Sequence, residues 1–483
     1  MSNIAEFEPK KVFKFFEEIS KIPRGSGNTS GIANYCLDFA KSRGFLTVKD
    51  DAGNIVIFAE GTEGYENSET VILQGHLDMV CEKTADCNID MQNEPVKLCT
   101  DGEYIWADKT TLGADDGIAI AYMLAILDSP EIPHPPLEIL LTNDEEVGLV
   151  GASAFDASIL KGKKLINIDS EEEGVITVSC AGGVRAFCEL PLDFVKSDSS
   201  MTAYKLEIKG LLGGHSGIDI NKHRVNANII LARLLNHISK VTEIYVSELD
   251  GGKKTNVIAK YAGCVICFDK ENIETVKNAV EQFSYIITKE IFYTEPNVKV
   301  AITPCEMPLY HANIESTRRL IFTVMQIPDG IQGMNPDIPE MVQTSLNLGE
   351  LTLDDNTLKM GFLIRSNDAE GKQRTSEKLV SFVEYLGGSI ELKHDYPAWE
   401  YRPYSALRDI MVSAYEEVYF DKPQISALHA GLECGVIGAK LSNIDMTSIG
   451  PQLLDVHTPY ERMSISSAER CWRFLLKALE KCK

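Results

Sequence analysis

The chain has no apolar run long enough to cross a bilayer. Its most apolar stretch, residues 117–127, falls well short of the ~20 residues a membrane helix needs. The first eight residues, Met-Ser-Asn-Ile-Ala-Glu-Phe-Glu, carry neither the basic nor the apolar region of a signal peptide. Basic residues are scarce: 47 Lys and Arg stand against 71 Asp and Glu. The resulting net charge of −24 argues against nucleic acid or an anionic membrane as the partner. Most of that charge is accounted for by the solubility of a cytoplasmic protein, which is the expected location. Twelve cysteines in 483 residues are too sparse for a disulfide framework, so reduced and mostly buried thiols are expected. The closest pair, Cys264 and Cys267, has zinc-like spacing but no second pair to complete a site. It also sits in a strand-like segment, where residues three apart face opposite sides.

What is present is an ordinary globular composition, 44% apolar and 24% charged, without low-complexity tracts. The length exceeds the ~250–300 residues at which single cores stop growing, so more than one domain is expected. Helical periodicity at residues 30–43 and 117–127 alternates with short apolar runs at 55–58, 71–73, 137–141 and 165–168. Strands apolar on both faces, interleaved with helices, predict an α/β domain built on a mostly parallel sheet. Near residue 186 the texture changes. Residues 204–209 alternate polar and apolar, and similar segments recur at 257–268, 298–302 and 358–364. The expectation is a domain made of residues 1–185 and 397–483, interrupted by an α+β domain over 186–396.

The polar residues at the strand ends carry the functional signal. The run at 71–73 leads into His76 and Asp78, the run at 137–141 into Glu145 and Glu146, and the run at 165–168 into Asp169. Residues 444–449 lead through a loop to His457, and Asp115 stands just before the 117–127 helix. Sites in open α/β sheets form beyond the carboxyl ends of the strands, where these side chains would converge. Each has a plainer reading by itself. Asp115 could be a helix N-cap, Glu145-Glu146 a solvated turn, Asp169 part of an acidic loop and His457 a surface histidine. Their joint placement is what those readings leave unexplained.

Imidazole and carboxylate are the donors that zinc takes, and a pair of metals ~3.5–4 Å apart can hold both a nucleophile and a scissile carbonyl. Five ligands, His76, Asp115, Glu146, Asp169 and His457, suffice if Asp115 bridges, and three carboxylates plus a hydroxide balance four positive charges. Asp78 is placed to accept the other ring N–H of His76. A carboxylate next to a ligand suits the general base, although spacing by itself does not separate Glu145 from Glu146 in these two roles.

At this point the chain resembles the aminoacyl-histidine dipeptidases, or Xaa-His dipeptidases, carnosinase-like members of the two-zinc amino- and carboxypeptidases. The similar segments are Gly75-His76-Leu77-Asp78-Met79-Val80, Thr111-Leu112-Gly113-Ala114-Asp115-Asp116-Gly117 and Asn143-Asp144-Glu145-Glu146-Val147-Gly148. They continue with Asn167-Ile168-Asp169, Gly213-Gly214-His215-Ser216-Gly217 and His429-Ala430-Gly431-Leu432-Glu433. Each is weak alone; six in order over nearly the whole chain are strong. The resemblance implies two divalent ions, zinc first with cobalt or manganese as alternatives. One would lie on His76, Asp115 and Asp169, the other on Asp115, Glu146 and His457. It implies Asp78 as the orienting carboxylate and Glu145 as the base working through a metal-bridging hydroxide. It makes the middle region a lid in which His215 stabilises the oxyanion, while Asn256 and Arg365, helped by the loop at Gly431, hold a free C-terminal carboxylate. An arginine fork suits that group, although an ordinary strand-end arginine explains Arg365 nearly as well.

One departure stands out. The family commonly has Asn after the bridging Asp, and here the residue is Asp116, which would bind the substrate amino group or add negative potential. The implied activity is hydrolysis of dipeptides of Xaa-His type, including β-alanyl-histidine. A homodimer is among the expected assemblies, and whether His215 serves its own chain or a partner's is left open. A tripeptidase, carboxypeptidase or amide deacylase would use the same metals, because the lid sets the substrate. A non-catalytic metal- or peptide-binding protein would have no use for Glu145, Asp78 and all five ligands together. Nucleotide binding at residues 210–217 is weaker still, since the stretch lacks the phosphate-loop ending and the GxGxxG spacing.

Overall fold

The computed structural model describes residues 4–336, 338 and 341–483. They divide into two compact units: residues up to Cys180 with Tyr401–Ala427 and Leu432–Lys483, and Ala181–Glu400 with Leu428–Gly431.

The first unit is built on an eight-stranded sheet. Its order is Leu46–Lys49, Ile55–Ala59, Leu137–Thr142, Val71–His76, Lys164–Asn167, Asp445–Ser448, Val175–Cys180 and Gln424–Leu428. The four strands from Leu137–Thr142 to Asp445–Ser448 run parallel, and antiparallel strands flank them. The strands Val71–His76 and Leu137–Thr142 are buried at every position, as their unbroken apolar texture requires for a sheet covered on both faces. One cover is the helix Ala114–Leu127, every residue of which is buried. Packed beside it is the amphipathic helix Ile465–Lys481, whose first turn is capped by Ser464. The two helices are joined by the Tyr122 hydroxyl, which donates to the Ala468 carbonyl at 2.7 Å.

The second unit is built on an antiparallel nine-stranded sheet whose longest members are Val342–Asp354, Thr357–Ser366 and Gly182–Pro191. The helices Ala227–Ser239, Ile273–Glu290, Ile314–Gln326 and Ala369–Tyr385 supply the rest of its core. Along Met201–Lys209, Tyr204, Leu206 and Ile208 point into that core while Lys205, Glu207 and Lys209 do not, the alternation of a one-sided strand. Cys264 belongs to this core, whereas Cys267 packs in a small cluster with Ala203 and Val265. The two thiols thus lie on opposite faces of Ala262–Asp269, and no shared metal site forms. All twelve cysteines are free. No described helix is long and apolar enough to cross a membrane.

Phe362 is fully buried in the core of the second unit. Phe362→Ala is expected to cost about 3–5 kcal/mol of stability, read from the urea unfolding midpoint. A cost under about 1 kcal/mol would contradict the packing described here.

Candidate metal centre

The carboxyl ends of the parallel strands gather the residues singled out above. His76 ends its strand, Asp78 follows two residues on, and Glu145 and Glu146 form the turn after Leu137–Thr142. Asp169 lies just past Lys164–Asn167. Asp115 and Asp116 open the helix Ala114–Leu127, and the peptide between them is cis. His457 comes from the loop after Leu453–Leu454, with a left-handed φ of 62°, an uncommon conformation for a residue with a side chain.

The geometry centres on Asp115. Its Oδ1 is 2.9 Å from His76 Nε2 and its Oδ2 is 2.9 Å from His457 Nε2, so the two oxygens of one carboxylate face two different imidazoles. Asp169 Oδ1 lies 3.4 Å from His76 Nε2. Glu146 Oε2 lies 3.0 Å from His457 Nε2. Three groupings have ligand atoms within 4.8 Å of one another: Asp115 with Glu146 and His457, His76 with Asp116 and Asp169, and His76 with Glu145 and Glu146. The donors fit a divalent metal, because imidazole nitrogen and carboxylate oxygen are what zinc, cobalt and manganese accept. Glu146 Oε1 is buried without a hydrogen-bond partner, an orphan that a cation would satisfy.

Charge reinforces the same point. Burial, with Asp169, Glu433 and Glu146 nearby, raises the Glu145 carboxyl well above its usual range despite His76. Burial, helped by Asp115 and Glu146, pushes Asp169 up to about 6 against the pull of His76. Burial alone would lower the histidines, but Asp169, Asp115 and Asp78 outweigh it at His76, and Asp115 and Glu146 lift His457 to about 11. Carboxylates this crowded favour a multivalent cation over protons.

Asp78 links two parts of the site. Its Oδ1 faces His76 Nδ1 at 3.4 Å and accepts from the Glu145 amide at 3.0 Å. Its Oδ2 accepts from Ser26 Oγ at 2.7 Å and the Glu146 amide at 3.3 Å. Asp78 thus faces the ring nitrogen of His76 opposite the one that faces Asp115. Asp116 is buried and uses Oδ2 to accept from the His76 amide at 3.1 Å.

The remaining sequence-derived residues lie in the second unit. His215 Nδ1 accepts from the Gly217 and Ile218 amides at 3.2 Å each, which puts the ring proton on Nε2. That nitrogen meets Arg365 Nη2 at 3.2 Å, so two donors face each other. Arg365 lies on Thr357–Ser366, is 5% exposed, donates through Nη1 to the Tyr396 hydroxyl at 3.1 Å, and makes no ion pair among the described residues. Facing donors on a buried, uncompensated guanidinium describe a place for an anion. Asn256 is half-buried beside the His215 segment, its carbonyl accepting from the Ser216 amide at 2.9 Å. Gly431 lies against the Tyr396 ring, which a Cβ there would approach to 3.1 Å.

Several groups were given no role from the sequence, although Asn167, His429 and Glu433 lie within the similar segments. Glu433, fully buried, accepts from Gln74 Nε2 at 2.5 Å and from the Thr142 hydroxyl. Gln74 continues to Asn167 at 2.6 Å, and Asn167 to Ser448. This chain ties the four parallel strands together two residues before His76 and Asp169. His429 is buried between Ser345 Oγ at 2.8 Å and Asn367 Oδ1 at 3.1 Å, and burial with Arg365 and His215 lowers it to about 3. A buried polar residue near a strand end was the available signal for Gln74 and Asn167. Tyr396 had none.

Fold and site together define a metal-dependent hydrolase. Residues 206–292 match the peptidase dimerisation domain of the M20 peptidases. The chain is 34% identical over 481 residues to the cytosol non-specific dipeptidase of Escherichia coli K12, covering 99% of each. The crystal structure of aminoacylhistidine dipeptidase from Vibrio alginolyticus superposes with a TM-score of 0.92 at 34% identity, over 99% of this chain and 98% of that one. A tripeptidase from Staphylococcus aureus, at 17% identity, shares the fold with a TM-score of 0.55 over 99% of each chain. The chain belongs to the aminoacyl-histidine dipeptidase family of the M20 metallopeptidases.

The crowding of carboxylates leads to a direct expectation. Adding Zn2+ to chelator-stripped protein should raise its melting temperature in a concentration-dependent way, because the ion binds the folded state. An unchanged melting temperature at saturating Zn2+ would count against a metal centre.

Proposed function

We propose that this protein is a cytoplasmic two-metal dipeptidase that hydrolyses Xaa-His dipeptides, β-alanyl-histidine among them. The observation that carries the reading is the Asp115 carboxylate, each oxygen of which lies 2.9 Å from a different imidazole. The relative named for non-specific dipeptide hydrolysis and the one named for aminoacyl-histidine substrates support the substrate class. The dimerisation-domain match supports a homodimer.

In this reading His76, Asp115 and Asp169 would hold one ion, and Asp115, Glu146 and His457 the other. When bound, two divalent ions, zinc in preference to cobalt or manganese, would supply the Lewis acidity that polarises a scissile carbonyl and acidifies water. Asp78 fixes the tautomer of His76 and the backbone of the Glu145-Glu146 turn. Glu145 takes the proton of the attacking water and delivers it to the leaving amine as the C–N bond breaks. Its raised carboxyl, a result of burial and neighbouring acids, suits a group that both accepts and returns a proton. His215 Nε2–H donates to the carbonyl oxygen as charge develops there. Arg365 and Asn256, with the loop at Gly431, hold the substrate's C-terminal carboxylate, while Asp116, whose carboxyl burial and Asp169 raise well above its usual range, accepts from the His76 amide.

Glu145→Gln should retain both metal equivalents by elemental analysis while kcat on β-alanyl-histidine falls by at least about 100-fold. Unchanged turnover would remove Glu145 from the role of base, and comparable turnover of tri- and tetrapeptides by the unaltered enzyme would reject a dipeptidase. Arg365→Ala should raise KM for free dipeptides by about 10–100-fold, as loss of a charged hydrogen bond does, and leave C-terminally amidated ones nearly unaffected. Equal penalties on both substrate types would rule out carboxylate recognition by Arg365.

A further inference from the structure

Glu461 and Arg24 are charged, buried and outside every role assigned above: Glu461 is 2% exposed and Arg24 3%. Glu461 Oε2 accepts from the Leu112 and Gly113 amides at 2.7 and 3.0 Å, and its Oε1 from the Ala114 and Asp115 amides at 2.8 and 3.4 Å. Four consecutive N–H groups thus converge on one carboxylate, using its four acceptor positions. It has none left for a substrate or a metal. Arg24 holds the opposite side of the same segment. Its Nη1 donates to the Leu77 and Asp78 carbonyls at 2.9 and 2.7 Å, and its Nη2 to the Gly113 carbonyl. One guanidinium therefore joins the backbone just after His76 to the backbone just before Asp115.

Local sequence makes room for this arrangement. Gly113 has a φ of +73°, and a Cβ there would lie 2.7 Å from Met79 Sδ and 2.8 Å from Arg24 Nη2. A Cβ on Gly117 would come within 2.6 Å of the same nitrogen. Glu461 also lies four residues past His457, in a turn closed by its amide on the Thr458 carbonyl at 3.1 Å. The anchors of His76, Asp115 and His457 are thereby linked through two side chains.

We propose that Glu461 and Arg24 are positioning residues: they fix the Asp115 backbone so that each oxygen of its carboxylate meets its own imidazole and can be shared by two ions. The proposal rests on the two-metal reading. A buried ion network kept only for stability would produce the same hydrogen bonds, so the test has to separate the two roles.

The probe is Mn2+ alone, titrated into chelator-stripped full-length protein and followed by electron paramagnetic resonance, where a shared carboxylate gives an exchange-coupled pair. Unaltered protein should show the coupled signal. Glu461→Gln keeps the side-chain volume but turns an N–H2 towards backbone amides, and should weaken Mn2+ binding by about 10–100-fold and diminish the coupled signal. Arg24→Lys keeps the charge but loses the fork that spans both backbone segments, and should act in the same direction. It decides the matter if Glu461→Gln does not fold. Variants that bind the coupled pair as tightly as the unaltered protein would overturn the proposal, even if their melting temperatures drop. If the unaltered protein shows no coupled pair, the two-metal reading fails first and this inference with it.

Discussion

Two imidazoles approach one carboxylate from opposite sides at Asp115, and much of the first unit is arranged around that contact. A carboxylate with both oxygens engaged tolerates little error in position, since a small rotation lengthens one contact as it shortens the other. The surrounding structure removes that freedom. Glu461 takes the backbone amides at and before Asp115, Arg24 ties Gly113 to the segment after His76, and Asp78 holds His76 and the Glu145-Glu146 turn together. These partners are themselves buried and charged, so each would cost more unpaired than it contributes when paired. The site is therefore a mutually dependent set of contacts.

The same logic extends down into the sheet. Parallel strands covered on both faces ordinarily hold only apolar side chains, yet Thr142, Gln74, Asn167 and Ser448 lie on four adjacent strands and are fully buried. They are tolerated because each finds a partner in the next, with Glu433 closing one end of the chain. A slip of one residue in Val71–His76 or Lys164–Asn167 would bury unpaired polar groups and turn the side chain two positions further along, His76 or Asp169, to the wrong face. The polar chain thus helps to specify register at these two strand ends.

The histidines illustrate how environment assigns function to a single residue type. His76 and His457 lie among carboxylates and are driven up, whereas His215 and His429 are buried beside Arg365 and are driven down to about 4 and 3. One pair suits cation binding. The other stays neutral, with the His215 proton on Nε2 as a donor. The first unit concentrates negative charge around Asp115, and the second holds the buried Arg365 guanidinium without an ion pair among the described residues.

Much of this was legible in the chain itself. Apolar runs leading to His76, Glu146 and Asp169 specify strands that gather these side chains at their carboxyl ends, because strand burial and site location follow from local pattern and from the general geometry of open sheets. The alternation at residues 204–209 likewise specifies a one-sided strand in an antiparallel sheet. Pattern could not reveal the partners separated by hundreds of residues, such as Glu461 on the 112–115 amides, Gln74 on Glu433 or Arg24 on Gly113. Those contacts depend on how loops cross at the top of the sheet, and an acidic or basic side chain gives no local sign of the backbone it will meet. The sequence by itself determined which atoms were available as ligands. Only the tertiary structure decided that Asp115 faces both histidines, because that depends on distances set by packing between segments with no periodic relation to one another.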